Sequence, residues 1–494
     1  MKKRVTLMRL ISFLLVSLMA LAMLAGCSKD GDPVDTSDAD KGTQGKVVLT
    51  DEYGYQLDGI PENLKLNREV SILHSEHLER SICVKEDKVG DNVVNKAIFS
   101  RWQTVEERLN VEINWVAKDG QWNNNRNEFF KLVESTSANG DAFDAIVAYN
   151  LFPGALASKG LLQNLGDTKY IDLTAPWWPQ AYVREALVND TVFGLVENSS
   201  VPTLCNLHGV FFNNDLVEAY QLKSPYDFVK EDTWTFDNMM ELVKGVGHDL
   251  NNNGTKDSND FFGVVTGTQA KIETWFFAMG YRYSQRGVEG VPELVMNNAS
   301  VMTEWIDRFN AATSTDDFLI YDPTHTKAFF EERAILYMSS IQLVDRAIEK
   351  SIDMDYGVVP VPKGSDSQEH YISNVANHHV AWSVPIAAED LTESSALIEC
   401  MASESYRQVA PVYFDTCVKL RYAPDERLMD MYDLIRDSIT FDFCQTYSFV
   451  FSVDPRTMIT NCTKGSASWG SEWASNEGMI TNGFEEILSY YGLN

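Results

Sequence analysis

Basic residues are scarce in this chain of 494 residues. Lysine and arginine number 41 against 71 aspartates and glutamates, which gives a formal net charge of −30 at pH 7. Nucleic acids and anionic membrane surfaces repel a chain of this charge. The composition therefore argues against nucleic acid as a partner and leaves small solutes and other proteins open.

Recognisable catalytic motifs are also missing. The sequence contains no GxSxG, HExxH, GxxxxGK[ST] or GxGxxG pattern, so the common nucleophile, zinc and phosphate signatures are absent. A glycosidase needs only two suitably spaced carboxylates, which an acidic chain supplies by chance. The sequence therefore favours a protein that is not an enzyme, with a surface enzyme acting on glycans as the alternative.

Long hydrophobic runs are absent except at the start of the chain. Lys2, Lys3, Arg4 and Arg9 precede an apolar stretch from residue 10 to 25, and Leu-Ala-Gly-Cys follows at residues 24–27. A basic start, an apolar run of this length and small residues at its end are typical of an export signal. The ending resembles a bacterial lipobox, which implies a signal peptide over residues 1–26. It also implies a palmitate-type lipid on Cys27 that anchors the protein to the outer face of the cell membrane.

The segment after Cys27 lacks the apolar residues needed for a core. Residues 28–45 are rich in Asp, Ser, Thr, Gly and Lys and contain no aromatic residue, so they predict a flexible tether. We place the acylated cysteine and tether over residues 27–67.

Closely spaced cysteine pairs are missing too. Six cysteines follow Cys27 at wide intervals, and none forms a CxxC pair. An even number in an exported protein permits disulfides, and buried thiols fit equally well. The sequence leaves both states open for Cys83, Cys205, Cys400, Cys417, Cys444 and Cys462.

An alternation of strand and helix patterns begins near residue 69. Short apolar strands are predicted at 70–73, 111–115 and 143–149, with helices at 95–109 and 127–135 between them. A second series follows, with strands at 210–213, 334–338 and 356–360. This order predicts an α/β fold with mostly parallel sheets, whose ligands bind beyond the carboxyl ends of the strands.

Several stretches resemble a known family when they are taken in order. They are FDAIVAYN (143–150), VFGLVENSSVPTLCNLHGVFFNNDLV (192–217), WTFDNMMELVK (234–244), FFEERAILYMSS (329–340) and YGVVPVPKG (356–364). Together they resemble the extracellular solute-binding proteins of ABC transporters that are related to maltose-binding protein (family 1). The resemblance runs from about residue 69 to the C-terminus.

The resemblance implies a two-lobed fold of the periplasmic-binding-protein type II, with hinge crossings and a ligand cleft between the lobes. We place lobe 1 at residues 68–200 plus 375–440, and lobe 2 at 201–374 plus 441–494. It implies a monomer that closes on a small solute and delivers it to the permease subunits of an ABC importer. A carbohydrate, and an oligosaccharide in particular, is the expected solute, although peptides and polyamines stay open. A ligand-sensing or adhesin lipoprotein on the same fold is a further alternative.

Sugar sites combine aromatic faces with paired polar side chains. The resemblance implies the candidate ligand contacts, and for the aromatic residues among them simple packing in the core is the alternative: Tyr149, Asn150, Asn206, Trp275, Ser339, Ser340, Gln342, Trp382 and Trp469.

One loop has the oxygen spacing of a calcium site. Positions 1, 3, 5, 9 and 12 of a twelve-residue stretch carry oxygen side chains, and position 6 is Gly254, which permits a sharp turn. The predicted ligands of a structural Ca²⁺ ion are Asp249, Asn251, Asn253, Asp257 and Asp260. A surface turn rich in Asn, Asp and Gly is the alternative interpretation.

Overall fold

The structure is a computed structural model that describes residues 48–121, 125–140, 143–320, 325–344, 354–375, 379–415 and 426–493. The predicted signal peptide, Cys27, the tether up to residue 47 and Cys417 lie outside these residues. Within them, no helix is both long and apolar enough to cross a membrane. The five cysteines in the described residues, namely Cys83, Cys205, Cys400, Cys444 and Cys462, are buried free thiols.

Strands and helices alternate along most of the chain. The strands are β1 (Arg68–Ser75), β2 (Val111–Lys118), β3 (Ala145–Tyr149), β4 (Leu195–Val196), β5 (His208–Asn213), β6 (Phe262–Thr266), β7 (Ser284–Arg286), β8 (Pro292–Leu294), β9 (Phe318–Ile320), β10 (Ala334–Ser340), β11 (Tyr356–Pro360), β12 (Ser373–Asn374), β13 (Val380–Ser383) and β14 (Ile439–Thr440). The helices up to residue 242 are α1 (Glu79–Ile82), α2 (Val93–Leu109), α3 (Arg126–Asn139), α4 (Phe152–Ala157), α5 (Gln180–Ala186), α6 (Val201–Cys205), α7 (Asn214–Ala219), α8 (Pro225–Lys230) and α9 (Phe236–Leu242). The later helices are α10 (Ala270–Ala278), α11 (Ala299–Thr313), α12 (His325–Phe330), α13 (Leu391–Glu404), α14 (Glu426–Asp437), α15 (Phe443–Thr446), α16 (Pro455–Thr463) and α17 (Trp469–Tyr490).

Two five-stranded sheets form the framework of two lobes. The first lobe is built on a sheet with the order β2-β1-β3-β13-β4, and the second lobe on a sheet with the order β11-β5-β10-β6-β9. In the first sheet β1 pairs in parallel with β2 and β3, whereas β13 runs antiparallel to β3 and β4. In the second sheet β6 pairs in parallel with β9 and β10. The predicted α/β two-lobed class is therefore confirmed.

Local sequence explains most of these elements. Asn92 caps α2 by accepting hydrogen bonds from the backbone N–H groups of residues 94 and 95, and Asn110 ends the helix with φ = 48°. Helical spacing puts Ile98, Val105 and Leu109 on the face of α2 that is buried. The strands β3, β5 and β6 are buried throughout, as expected for central strands covered on both faces.

Two segments lie elsewhere than the sequence suggested. We expected residues up to 67 in the tether, yet Asp58 is almost completely buried on the first lobe, where both its oxygens accept hydrogen bonds from Arg108 at 2.8 Å. We expected α14 in the first lobe, yet it packs against β11 of the second sheet. Ile435 of α14 occupies the space that a Cβ on Gly209 would need. These contacts concern only the two segments, and the lobe boundaries as a whole stay a prediction.

Candidate ligand cleft

One cavity is lined by residues that follow parallel strands of both sheets in the chain. Arg126 and Asn127 lie at the start of α3, which follows β2, and Gln269 lies after β6 and just before α10. All three residues line one cavity of about 540 Å³. Because Arg126 and Asn127 belong to the first lobe and Gln269 to the second, this cavity lies between the lobes.

The rest of the cavity wall comes from the C-terminal part of the chain. Residues 441–464, which we call the bridge segment, contain α15, α16 and the turn between them. The lining residues from this segment are Ser448, Phe449, Phe451, Ser452, Asp454, Arg456, Thr457, Thr460, Asn461 and Lys464.

Buried polar contacts attach the bridge segment to the second lobe. Asp442 accepts hydrogen bonds from the backbone N–H groups of Tyr283 (3.0 Å) and Ser284 (3.1 Å) and from the Ser284 hydroxyl (2.9 Å). The backbone N–H of Gln445 donates to it as well, at 3.2 Å, so four donors compensate the burial of this carboxylate, which is 1% exposed. Gln445 also donates its Nε2–H to Glu273 of α10 at 3.0 Å.

Aromatic contacts attach the same segment to the first lobe. Tyr447 packs against Gly154, where an added Cβ would collide with the tyrosine ring. The ring of Phe449 lies 6.3 Å from that of Phe152, and the guanidinium of Arg126 lies over the Phe449 ring at 4.4 Å. The bridge segment thus contacts both lobes and fixes one side of the cavity.

Charged groups are arranged around the bridge segment. Arg456 and Asp454 form an ion pair at 2.8 Å. Burial raises the pKa of Glu273 to about 7, and the positive charge of the nearby Arg456 only partly opposes that effect. Burial by itself would lower the pKa of Arg456, but the carboxylates of Glu273 and Asp454 raise it overall. Arg456 therefore stays charged beside the cavity.

Tyr149 and Asn150 lie at the carboxyl end of β3, as predicted. The ring of Tyr149 stacks on the exposed His77 with centroids 4.8 Å apart, and it also contacts Phe152. The Oδ1 atom of Asn150 is buried and has no hydrogen-bond partner within the described residues. Phe152 connects these residues to Phe449, so they lie in an aromatic row that ends at the cavity wall.

Four of the other candidates meet at the first crossing between the lobes. Asn206 follows α6 and donates its Nδ2–H to Pro202 O at 2.8 Å. The backbone N–H of Gln342 donates to Cys205 O at 2.9 Å. Ser340 lies opposite His208 in the pairing of β10 with β5, and Ser339 is its buried neighbour on β10. These residues form a group separate from the 540 Å³ cavity.

The three tryptophan candidates are buried. Trp275 and Trp382 are fully buried, and Trp469 is 2% exposed. Trp275 donates its indole N–H to Thr266 at 3.3 Å, whereas Trp382 donates its indole N–H to Glu197. Trp469 stacks on Trp473 at the start of α17. Their rings pack inside the lobes and do not line the cavity.

None of the nine predicted ligand residues lines the 540 Å³ cavity, and the sequence analysis missed the residues that do. Gln269 could have been predicted from the sequence, because it follows the apolar run of β6 and so lies at a strand end. No sequence pattern marks the lining residues of the bridge segment. Their position depends on contacts with Gly154 and Phe152, which lie far away in the sequence.

The calcium-like loop folds around its own side chains. Asp249 accepts the backbone N–H of Gly254 at 2.8 Å, and Asp260 accepts that of Asp257 at 2.9 Å. Backbone donors of this kind lower the pKa values of Asp249 and Asp257, so both stay ionised. Across the described residues, no cluster of three or more His, Cys, Asp or Glu side chains has an arrangement that could hold a metal. The calcium site stays a prediction from the spacing.

Comparison with known proteins agrees with this architecture. The family described as bacterial extracellular solute-binding protein matches residues 105–413. No curated protein sequence matches the chain.

Solved structures share the fold at low identity. An extracellular solute-binding protein from Staphylococcus aureus in complex with maltose is 10% identical, covers 85% of this chain and 98% of its own, and gives a TM-score of 0.57. A cyclic alpha-maltosyl-1,6-maltose binding protein from Arthrobacter globiformis is 12% identical, covers 84% and 98%, and gives 0.55. An ABC substrate-binding protein from Listeria monocytogenes in complex with cycloalternan is 13% identical, covers 87% and 100%, and gives 0.51.

Proposed function

This chain belongs to the bacterial extracellular solute-binding proteins, and we propose that it captures an oligosaccharide between its lobes for an ABC importer. The observation that carries the proposal is the cavity of about 540 Å³, whose wall combines first-lobe, second-lobe and bridge-segment residues. A solute that contacts both lobes stabilises the form in which they are closest. An importer can then distinguish the loaded protein from the empty one.

The chemistry of the wall supports a saccharide. Ligand pockets of roughly 300–1,000 Å³ hold small molecules, and sugars need apolar faces beside hydrogen-bonding groups. Phe449 supplies an aromatic face that is half-buried, while Asn127 and Gln269 are exposed amides on opposite lobes. The relatives from S. aureus, A. globiformis and L. monocytogenes were solved with, or are named for, maltose, cyclic alpha-maltosyl-1,6-maltose and cycloalternan, which favours a glycan here.

Binding accounts for the acidic groups better than catalysis does. Asp454 is tied to Arg456, and Glu273 is 3% exposed and accepts hydrogen bonds from Tyr283 and Gln445. A glycosidase needs one carboxylic acid and one carboxylate that both reach the glycosidic bond. The proposal therefore treats the glycan as a cargo that is released unchanged, and a mass spectrum of the recovered glycan tests this point.

The location of the protein is proposed from the sequence together with the family. Members of this family are exported, and the lipobox-like Leu-Ala-Gly-Cys favours cleavage before Cys27 and acylation of that cysteine. The chain would then act as a monomer attached to the outer face of the membrane. The mass of the N-terminal peptide of the exported protein tests the acylation.

A structural Ca²⁺ ion in the loop 249–260 is part of the proposal. Asp249, Asn251, Asn253, Asp257 and Asp260 would supply its oxygen ligands, and a bound ion would stabilise the loop without taking part in solute binding. Thermal unfolding with calcium and with a chelator tests the site.

Titration of the mature chain with a panel of neutral and acidic oligosaccharides tests the binding function. At a glycan concentration 100 times its dissociation constant, we expect roughly 2.7 kcal/mol of added stability, seen as a higher melting temperature. Asn127→Ala and Gln269→Ala should each weaken binding by about tenfold, since each removes a hydrogen bond from one side of the solute. Gln103→Ala, on an exposed position of α2, is the matched control and should bind like wild type. Equal affinities for all four proteins would place the solute elsewhere.

A further inference from the structure

The charge of the cavity differs in sign from the charge of the whole chain. Among its described lining residues, Arg126, Arg456 and Lys464 are cations and Asp454 is the one anion, in a chain with a net charge of −30. We propose that the solute is an acidic saccharide, one that carries carboxylate or sulfate groups. This inference rests on the proposed function and names the class of glycan.

Arg126 supplies the first uncompensated charge. Its guanidinium carbon lies 4.4 Å from the centroid of the Phe449 ring, and it takes part in no ion pair within the described part of the chain. A guanidinium in contact with an aromatic ring keeps its five N–H groups available to other acceptors. The fork of these donors matches the paired oxygens of a carboxylate or a sulfate.

Lys464 supplies the second charge, at the end of α16. The residue is exposed and lines the cavity, and its ammonium forms no ion pair with the described carboxylates. Glu472, which lies near this end of the bridge segment, accepts hydrogen bonds from Asn461 and Asn476. The third cation, Arg456, is balanced by its ion pair with Asp454. About two positive charges therefore remain for a solute.

A buried hydroxyl group adds a donor without a protein acceptor. Ser448 is 6% exposed and lines the cavity, and its Oγ atom has no hydrogen-bond partner within the described residues. A buried polar atom of this kind needs a partner to offset the loss of water. An acidic group that only accepts hydrogen bonds meets this need.

The balance of donors and acceptors separates acidic from neutral sugars. A neutral hydroxyl both donates and accepts, so a site for neutral glycans benefits from carboxylates that accept its protons. Asp454, the one carboxylate among the described lining residues, already accepts hydrogen bonds from the guanidinium and from the backbone N–H of Arg456. Donors with free capacity are left in excess, which suits carboxylate and sulfate oxygens.

Calorimetric titration of the mature chain with three probes tests the inference: trigalacturonate, a sulfated chondroitin disaccharide and maltotriose. We expect at least one acidic probe to bind at least about tenfold more tightly than maltotriose. Binding of that probe should weaken as sodium chloride rises, because salt screens the two charges. Trigalacturonate binding would identify a carboxylate as the recognised group, and binding of the chondroitin disaccharide alone would point to the sulfate.

Variants that each remove one positive charge test which residues bind the acidic group of the solute. Lys464→Gln and Arg126→Gln should each weaken binding of the acidic probe about tenfold more than they weaken binding of maltotriose. Lys131→Gln is the matched control, since Lys131 lies on α3 with Arg126 but pairs with Glu128 outside the cavity. Because Lys464 is exposed, Lys464→Gln should have the melting temperature of wild type. This variant therefore tests the inference even if Arg126→Gln is unstable.

The outcomes separate this inference from the proposed function. If neutral maltotriose binds as tightly as both acidic probes, or Lys464→Gln changes nothing, the acidic-saccharide inference is overturned while oligosaccharide binding stands. If no saccharide of either charge binds, both the inference and the proposed function are wrong.

Discussion

At the scale of single residues, burial decides the behaviour of the ionisable groups near the cavity. Glu273 lies in α10, its carboxyl group faces Tyr283 and Gln445, and burial raises its pKa to about 7. In the unfolded chain the same group has an ordinary glutamate pKa. Between these two values the native state holds a proton that the unfolded state has lost, so its stability must depend on pH.

The first prediction concerns the sign of that dependence. As pH rises from about 4.5 to 7, the Glu273 contribution should lower the free energy of unfolding by roughly 3 kcal/mol in total, and it should change little above pH 7. Glu273→Gln replaces the ionisable carboxyl group with a neutral amide of the same shape. Gln445 can turn its own amide to hydrogen-bond the new side chain. Urea unfolding at several pH values should therefore show that the variant gains stability relative to wild type as pH rises.

The control for this prediction is Glu241→Gln, at an exposed glutamate on α9. This variant should follow the wild-type pH profile to within about 0.5 kcal/mol. A Glu273→Gln variant whose profile also runs parallel to wild type would show that burial does not control this carboxyl group.

At the scale of elements, strands and helices could be predicted because their signals are local. The apolar runs that predicted β3, β5, β10 and β11 lie within or beside the strands that form. The start of α9 was visible in the sequence because Thr235 accepts the backbone N–H of Asn238 as its cap. The helix ends at Leu242, and the glycine with φ = 77° at position 245 suits the turn that follows.

A glycine in the second sheet gives an element-scale prediction. Gly357 of β11 is buried opposite Phe212 of β5, and an added Cβ would collide with the Phe212 ring and the Tyr226 hydroxyl. Gly357→Ala should destabilise the protein by about 1–3 kcal/mol, because the packed neighbours must move.

The matched control is a glycine with free space around it. Gly478 is exposed within α17, and a Cβ there meets no atom within 4 Å. Gly478→Ala should stabilise the protein by about 0.5–1 kcal/mol through helix propensity. Two substitutions of opposite effect, measured by urea unfolding, test the described packing. Equal effects of both would contradict it.

At the scale of the whole molecule, the sequence predicted the class of the fold better than the position of the site. The order of the strand and helix signals was enough for two α/β lobes. The cavity wall could not be predicted, because it forms where the bridge segment meets Gly154 and Arg126, which are remote in sequence. Aromatic residue type was a poor guide to the ligand site, because contacts between remote parts of the sequence decide which rings reach the cavity. Trp275 and Trp382 complete the packing of the lobes, while the less conspicuous Phe449 faces the cavity.

Closure on a saccharide is the central claim at this scale. The distance between the lobes can be measured by pulsed electron paramagnetic resonance spectroscopy between two spin labels. The labels are attached to Gln103→Cys in the first lobe and Glu241→Cys in the second, and both sites are exposed. Controls with one label each exclude reaction at the buried native thiols. With a glycan that the titrations show to bind, the account predicts a shift of the distance distribution to a single narrower population. A distribution that stays unchanged at a saturating concentration of that glycan would contradict capture between the lobes.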